Sequence, residues 1–235
     1  MVKEQITYGT SIIEYSLAFA ERKSLGIKVY PDKSVHVIAP NGTSKEKVSE
    51  KVHCKAAWIL RQQDFFLSFH PLTPPRKFIS GETYLYLGKQ YRLRLADADK
   101  ESVKLYGGNI TVYCKDKNNK QRIEKQLKAW YKTKADQHFN KLFEELAHLA
   151  KPFFEGTPTL KYRWMDKRWG SCSQKGEVLL NNELVKTPKK CIEYVIIHEL
   201  CHLAHLNHSA AFYVLLDKLS PNWRRIKNEL ERLMV

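Results

Sequence analysis

A chain of 235 residues, 43% hydrophobic and 28% charged, carries enough apolar material for one sizeable core or two small ones, which excludes a disordered polymer. No run approaches the roughly 18 uninterrupted apolar residues of a membrane span, and the opening MVKEQITYGTSIIEYS is too polar for a secretory leader. No membrane partner and a cytoplasmic location are therefore expected. The net charge of +15 is spread evenly, with 20 basic and 12 acidic residues in 1–120 and 20 and 13 in the rest. It suits a solvated basic surface and leaves nucleic acid open as a partner. Cys54, Cys114, Cys172, Cys191 and Cys201 show no short thiolate spacing, so reduced, mostly buried thiols are expected.

Residues 13–39 alternate with period two. Ile13, Tyr15, Leu17 and Phe19 form one set, Leu25, Ile27 and Val29 a second, and Val35 and Val37 a third, which together predict a small antiparallel meander. From Thr43 to Phe69 the period becomes helical. Thr43 and Glu46 suggest a capping box, Val48, Val52, Ala56, Ile59 and Phe66 a buried stripe, and Pro71, Pro74 and Pro75 the end. Strands resume around Tyr84–Leu87 and Tyr91–Leu95, and Val103–Leu105 pairs with Ile110–Val112 across Gly107-Gly108-Asn109. The polar run KDKNNKQ at 115–121 is the expected boundary between a β-rich α+β part with one helix, 1–117, and a second domain, 118–235. The second begins with a long helix striped by Ile123, Leu127, Trp130, Phe139, Leu142, Leu146 and Leu149 and ended by Pro152. His138 and His148 on that helix are left outside any site. Leu160–Trp164 and Glu177–Leu184 read as strands of a small antiparallel sheet, joined through Arg168-Trp169-Gly170-Ser171-Cys172-Ser173. Its edge can take an extended peptide as an added strand, with Arg168 and Trp169 as candidate cleft residues.

The chemistry concentrates in CIEYVIIHELCHLAHLNHSAAFYVLLDKL, 191–219. His198 and His202 in the pattern His-Glu-x-x-His are turned by only about 40° and displaced by about 6 Å on a helix, so one face presents both imidazoles to one ion. Zinc in a catalytic site takes three protein donors and keeps a position for water. His205 and His208 compete for third place. From an unbroken helix His205 would lie about 10 Å beyond His198. His208 reaches back if the helix stops first, and a left-handed Asn207 with Ser209 as the next N-cap supplies the break. Glu199, about 100° round the helix, sits where a carboxylate can take a proton from water. Ile192, Val195, Ile196, Leu200, Leu203 and Leu206 lie mostly on another arc and anchor the helix.

Five blocks carry a family likeness: RKSLGIKVYPDKSVHVIAP, KAAWILRQ, LGKQYRLRL, KRWGSCSQKGEVLLNNELVKTP and VIIHELCHLAHLNHSAAFY. Over nearly its full length the chain resembles the YgjP-like metallopeptidases, which are related to the SprT-like and Wss-type zinc proteases. The resemblance implies His198, His202 and His208 as zinc ligands, Glu199 as general base, and a zincin-like helical core behind a β-rich amino-terminal part. The leading expectation is a zinc peptidase acting on peptides or proteins. Tyr213, Arg168 and Arg224 are candidate oxyanion donors, and Tyr213 joins Arg168 and Trp169 as a candidate substrate contact. The competing readings are a basic module acting on DNA-bound proteins, a zinc hydrolase of non-peptide substrates, and a structural zinc site without turnover.

Overall fold

The computed structural model describes residues 2–67, 76–166 and 168–233 and is a mixed α+β structure. The chain divides into two compact units, 1–74 and 75–234. The polar run at 115–121, expected as a boundary, is thus a connection inside the second unit. The helix end expected at Pro71, Pro74 and Pro75 lies outside the described residues.

The first unit is a four-stranded sheet backed by helices. Its strands are β1 (Val2–Tyr8), β2 (Ser11–Ala20), β3 (Gly26–Val29) and β4 (Val35–Pro40), in the order β1-β2-β4-β3. The sheet is not the expected meander: β4 lies parallel to β2, with Leu17 opposite Val37, and β3 is pushed to the edge, antiparallel to β4. Ile13, Tyr15, Leu17, Val35, Val37 and Ala39 bury one face. Against it pack Val48 and Val52 of α1 (Lys45–Cys54) and Ala56 and Ile59 of α2 (Ala56–Leu67), two helices where one was expected. The first is capped by Ser44 rather than Thr43, the hydroxyl accepting the amide of Lys47 at 3.5 Å.

The second unit opens with β5 (Thr83–Tyr86), β6 (Lys89–Asp97), β7 (Ser102–Tyr106) and β8 (Asn109–Cys114), in the order β5-β6-β8-β7 with β6 and β8 parallel. Leu93, Ile110 and Val112 point into a core shared with Ile123, Leu127, Tyr131, Ala135 and Phe139 of α3 (Lys120–Leu146). Asn119 caps this helix by accepting the Arg122 amide at 3.0 Å. A second, three-stranded sheet contains β9 (Thr159–Arg163), β10 (Gly170–Cys172) and β11 (Glu177–Asn181), in the order β10-β11-β9. It is mixed rather than antiparallel, because β9 runs parallel to β11. Three helices complete the unit: α4 (Lys189–Cys201), α5 (Ala210–Leu219) and α6 (Trp223–Arg232).

The β5–β6 turn ties the two sheets of this unit to α4. Leu87 and Gly88 both have positive φ, 47° and 76°, and their amides donate to the carbonyls of Val185 and Lys186. A Cβ on Gly88 would lie 2.6 Å from Pro188, the residue that opens α4, so this contact requires glycine. Among the described residues no helix is long and apolar enough to cross a membrane.

Candidate metal centre and active site

Helix α4 is buried almost all round, through Cys191, Ile192, Tyr194, Val195, Ile196, Ile197, Glu199, Leu200 and Cys201, rather than along a single arc. Leu206, expected to help anchor it, is 59% exposed. The helix stops early: His202 is its C-cap residue, and the next amides fold back on Leu200 and Cys201. Asn207 is absent from the described residues with positive φ, so the break comes from this tight turn and not from a left-handed asparagine. Ser209 performs as expected, its hydroxyl accepting the Phe212 amide at 3.3 Å to begin α5.

The turn brings His208 back to His198 and His202. One nitrogen from each of these rings lies within 4.8 Å of the others, and the Nε2 atoms of His198 and His208 are 3.0 Å apart. The His205 ring is not in the group; its backbone carbonyl lies 3.0 Å from Nδ1 of His202. A carbonyl only accepts, so Nδ1 carries the hydrogen, and Nε2 of His202 is the nitrogen turned to a metal. Phe212, fully buried, contacts all three rings at centroid distances of 5.1, 4.7 and 4.8 Å and packs as a common apolar support.

Burial, with His202 and His208 as neighbours, pushes His198 down to about 3, and burial also lowers His208. The lowered His198 and His208 rings favour their neutral forms, which leaves nitrogen lone pairs available to a metal. Donors at zinc's usual bond length of about 2.0–2.1 Å in a tetrahedron are roughly 3.3 Å apart, close to the spacing of the two Nε2 atoms. The donor set therefore fits a metal that favours nitrogen. The thiols do not compete: burial raises Cys172 and Cys201 to about 12, and neither joins the cluster.

Glu199 is 6% exposed, and burial raises its carboxyl to about 8 against an opposing pull from Arg168. Its place depends on Gly170 in β10. A Cβ there would lie 2.7 Å from Oε1 and 2.8 Å from Cγ of Glu199, so no other residue lets the strand approach. Asn181, 3% exposed, holds the loop before that strand: its Nδ2 donates to the carbonyls of Met165 at 2.7 Å and Arg168 at 3.0 Å.

A cleft of about 390 Å³ joins His198, Glu199 and His208 to Arg168, Trp169 and Tyr213, the three residues expected to meet substrate. Arg224 is placed elsewhere, its guanidinium paired with Asp217 at 2.6 and 3.3 Å. Sequence reasoning missed the far wall. There Tyr194 and Tyr213 stack against Trp223 of α6, with centroids 6.4 and 5.4 Å apart, and Lys227 stands at the rim. The spacing of Trp223, Ile226 and Leu230 was the available signal for α6. Nothing local marked Gly170 or Asn181, whose roles exist only across strands.

A mixed α+β domain that gathers three imidazoles and a buried carboxyl group around one helix end has the architecture of a metallopeptidase. The chain belongs to the YgjP-like family, whose metallopeptidase-domain model matches residues 23–233. Membership implies a peptidase or hydrolase that uses a metal cofactor. No curated protein matches the chain.

Proposed function

We propose that the protein is a zinc-dependent peptidase, with His198, His202 and His208 as the metal ligands and Glu199 as the general base. The observation that carries this reading is the convergence of three imidazole nitrogens beside a carboxylate sealed from solvent. An all-imidazole donor set favours zinc over oxygen-seeking magnesium or calcium. When bound, the ion supplies Lewis acidity, polarising the scissile carbonyl and lowering the pKa of a water to about 7.

The chain's own groups supply the rest. Burial raises the Glu199 carboxyl to about 8 in the metal-free protein, where it is mostly protonated at neutral pH; a cation held by the three imidazoles would favour the carboxylate, which then takes a proton from the attacking water. As the carbon–nitrogen bond breaks, that proton goes to the leaving amine, and the water oxygen stays on the carbonyl carbon as the new carboxylate. Strand β10 lies at a sheet edge beside Glu199, where an extended peptide can add as a neighbouring strand. Arg168 and Trp169, just before that strand, and Tyr213 opposite them then meet the side chains and the developing oxyanion.

The test is metal analysis combined with cleavage of a peptide library. Glu199→Gln is expected to keep zinc and lose roughly 10²–10⁴-fold in turnover; undiminished hydrolysis removes Glu199 from the mechanism. His208→Ala is expected to weaken zinc binding by more than the roughly 10–100-fold seen when only a ligand's support is lost. His205→Ala keeps the carbonyl that holds His202 and leaves affinity nearly unchanged. Equal losses would overturn the ligand assignment, and an active protein that spares every peptide would shift the substrate class.

A further inference from the structure

The face of the β5–β8 sheet turned away from α3 has a composition that neither its packing nor the proposed peptidase requires. The register places Arg92, Asn109 and Tyr106 in one cross-strand row, Arg94, Thr111 and Lys104 in the next, and Ala96, Tyr113 and Ser102 in a third. The alternate residues Leu93, Ile110 and Val112 fill the core, so these rows face outward. With Thr83, Leu85 and Gln90 added, the outward positions of the four strands contain no carboxylate. Of the acids flanking these strands, Glu82 accepts from Lys77, Ile79 and Tyr84, Asp97 pairs with Lys117, and Glu101 pairs with Arg122, while Asp99 lies in the β6–β7 connection rather than on the face.

The cations on this face have no carboxylate partner among the described residues. Arg94 has no hydrogen-bond or ion-pair partner among the described residues, and Arg92 spends one N–H on the carbonyl of Gly81 at 2.8 Å. Lys104 lies over the Tyr113 ring at 5.6 Å. Tyr106 is 87% exposed and has no ring neighbour among the described residues, an arrangement that leaves a large apolar face in water. A depression of about 830 Å³ is lined partly by Arg94, Lys104, Tyr106, Thr111 and Tyr113 of this face, and partly by core-facing strand residues with Trp130 and Lys134 of α3. Tyr113 on β8 is one strand spacing, roughly 5 Å, from the strand that carries the arginines, and Tyr106 on β7, beside Lys104, is two, roughly 10 Å. A flexible chain that carries both phosphates and flat rings matches that interleaving.

We propose that this face binds single-stranded nucleic acid, with Arg92, Arg94 and Lys104 on the phosphates and Tyr106 and Tyr113 stacking on bases. Charge and aromatic surface interleaved on an open sheet favour a single strand over a duplex, whose bases already stack on each other. An acidic protein would satisfy the cations and leave the tyrosines unused.

The experiment is fluorescence anisotropy of the full chain with labelled oligothymidylate, its duplex, and polyglutamate across a salt series. Binding to the single strand is expected, with log affinity falling by about 0.7 per log salt for each phosphate contacted. Tyr106→Ala should weaken it roughly 5-fold or more. Arg94→Glu should weaken it further and flatten the salt slope, whereas Lys125→Glu, an equal charge change on exposed α3, should do neither. Tyr106 is so exposed that its loss does not threaten folding, and circular dichroism checks every variant. No binding at low salt, equal effects of Arg94→Glu and Lys125→Glu, indifference to Tyr106→Ala, or equal affinity for duplex or polyglutamate would each overturn the proposal.

Discussion

The two four-stranded sheets have the same connectivity: an antiparallel pair, a parallel central pair, and an antiparallel edge. Leu17 opposite Val37 in one holds a place like that of Leu93 opposite Ile110 in the other. Their cores differ in kind. The first contains only apolar residues, closed by its own helices. The second runs on through α3 to α4, and all the buried polar residues described, Glu199 among them, lie in that unit. The outward faces differ too, since the first carries Glu14 among Lys3, Gln5, Ile12 and His36 where the second has cations and tyrosines among neutral residues and no carboxylate. One scaffold used twice shows that the topology demands only the apolar face. The buried carboxylate and the basic aromatic surface are additions, and burying the former costs stability.

Leu17→Ala and Leu93→Ala would sharpen this contrast most. Both are buried, and each should destabilise its unit by about 2–5 kcal/mol, read from denaturant unfolding. Only Leu93→Ala should weaken metal binding, because its core includes the residues that fix α4. Equal metal affinities in the two variants would break the link between the second core and the site.

Acidity offers a second handle, applied to protein stripped of metal. Glu199 is raised from 4.5 to about 8, so its contribution is full below 4.5 and is lost as pH rises to 8. His198 is lowered from 6.5 to about 3, so its contribution is full above 6.5 and is lost as pH falls toward 3. Between 4.5 and 6.5 the two slopes oppose, and the second unit should be most stable there. From 6.5 to 8 it should lose about 2 kcal/mol, a decline that Glu199→Gln abolishes. The first core, without a buried carboxylate or imidazole, should not show this profile in pH-dependent unfolding.

The smallest effects come from two glycines. Gly170→Ala forces a methyl against Glu199 and should cost about 1–3 kcal/mol along with turnover. Gly9 has φ +60° and no atom within 4 Å of an added Cβ. Gly9→Ala should therefore cost about 1–2 kcal/mol of backbone strain and leave peptide hydrolysis intact. Kinetics on both variants decides whether close approach to Glu199 is the distinguishing factor.

The chain's readable parts were those governed by local rules. Four-residue spacing put His198 and His202 on one face, and the capping preference of Ser209 marked the start of α5. Alternation in Ile13, Tyr15 and Leu17 gave the buried face of β2 but could not choose its neighbour, so the parallel pairing with β4 was invisible. Strand β1 escaped notice because Lys3, Gln5 and Thr7 crowd an edge where polar residues are tolerated. Glu199 was legible as a candidate base by motif, whereas its burial depends on Gly170 arriving from another strand. The polar run at 115–121 resembled a linker because a solvated turn and a domain boundary share one composition.

The hydroxyl of Ser209 fixes where α5 begins, and His208 is the residue immediately before it. The proposed third donor is thus set by a hydrogen bond internal to the protein, as His202 is set by the carbonyl of His205. An arriving ion meets donors already assembled and surrenders its own hydration rather than the freedom of the chain. Swapping one divalent ion for another at this centre should then proceed without refolding, and discrimination falls to the chemistry of imidazole nitrogen.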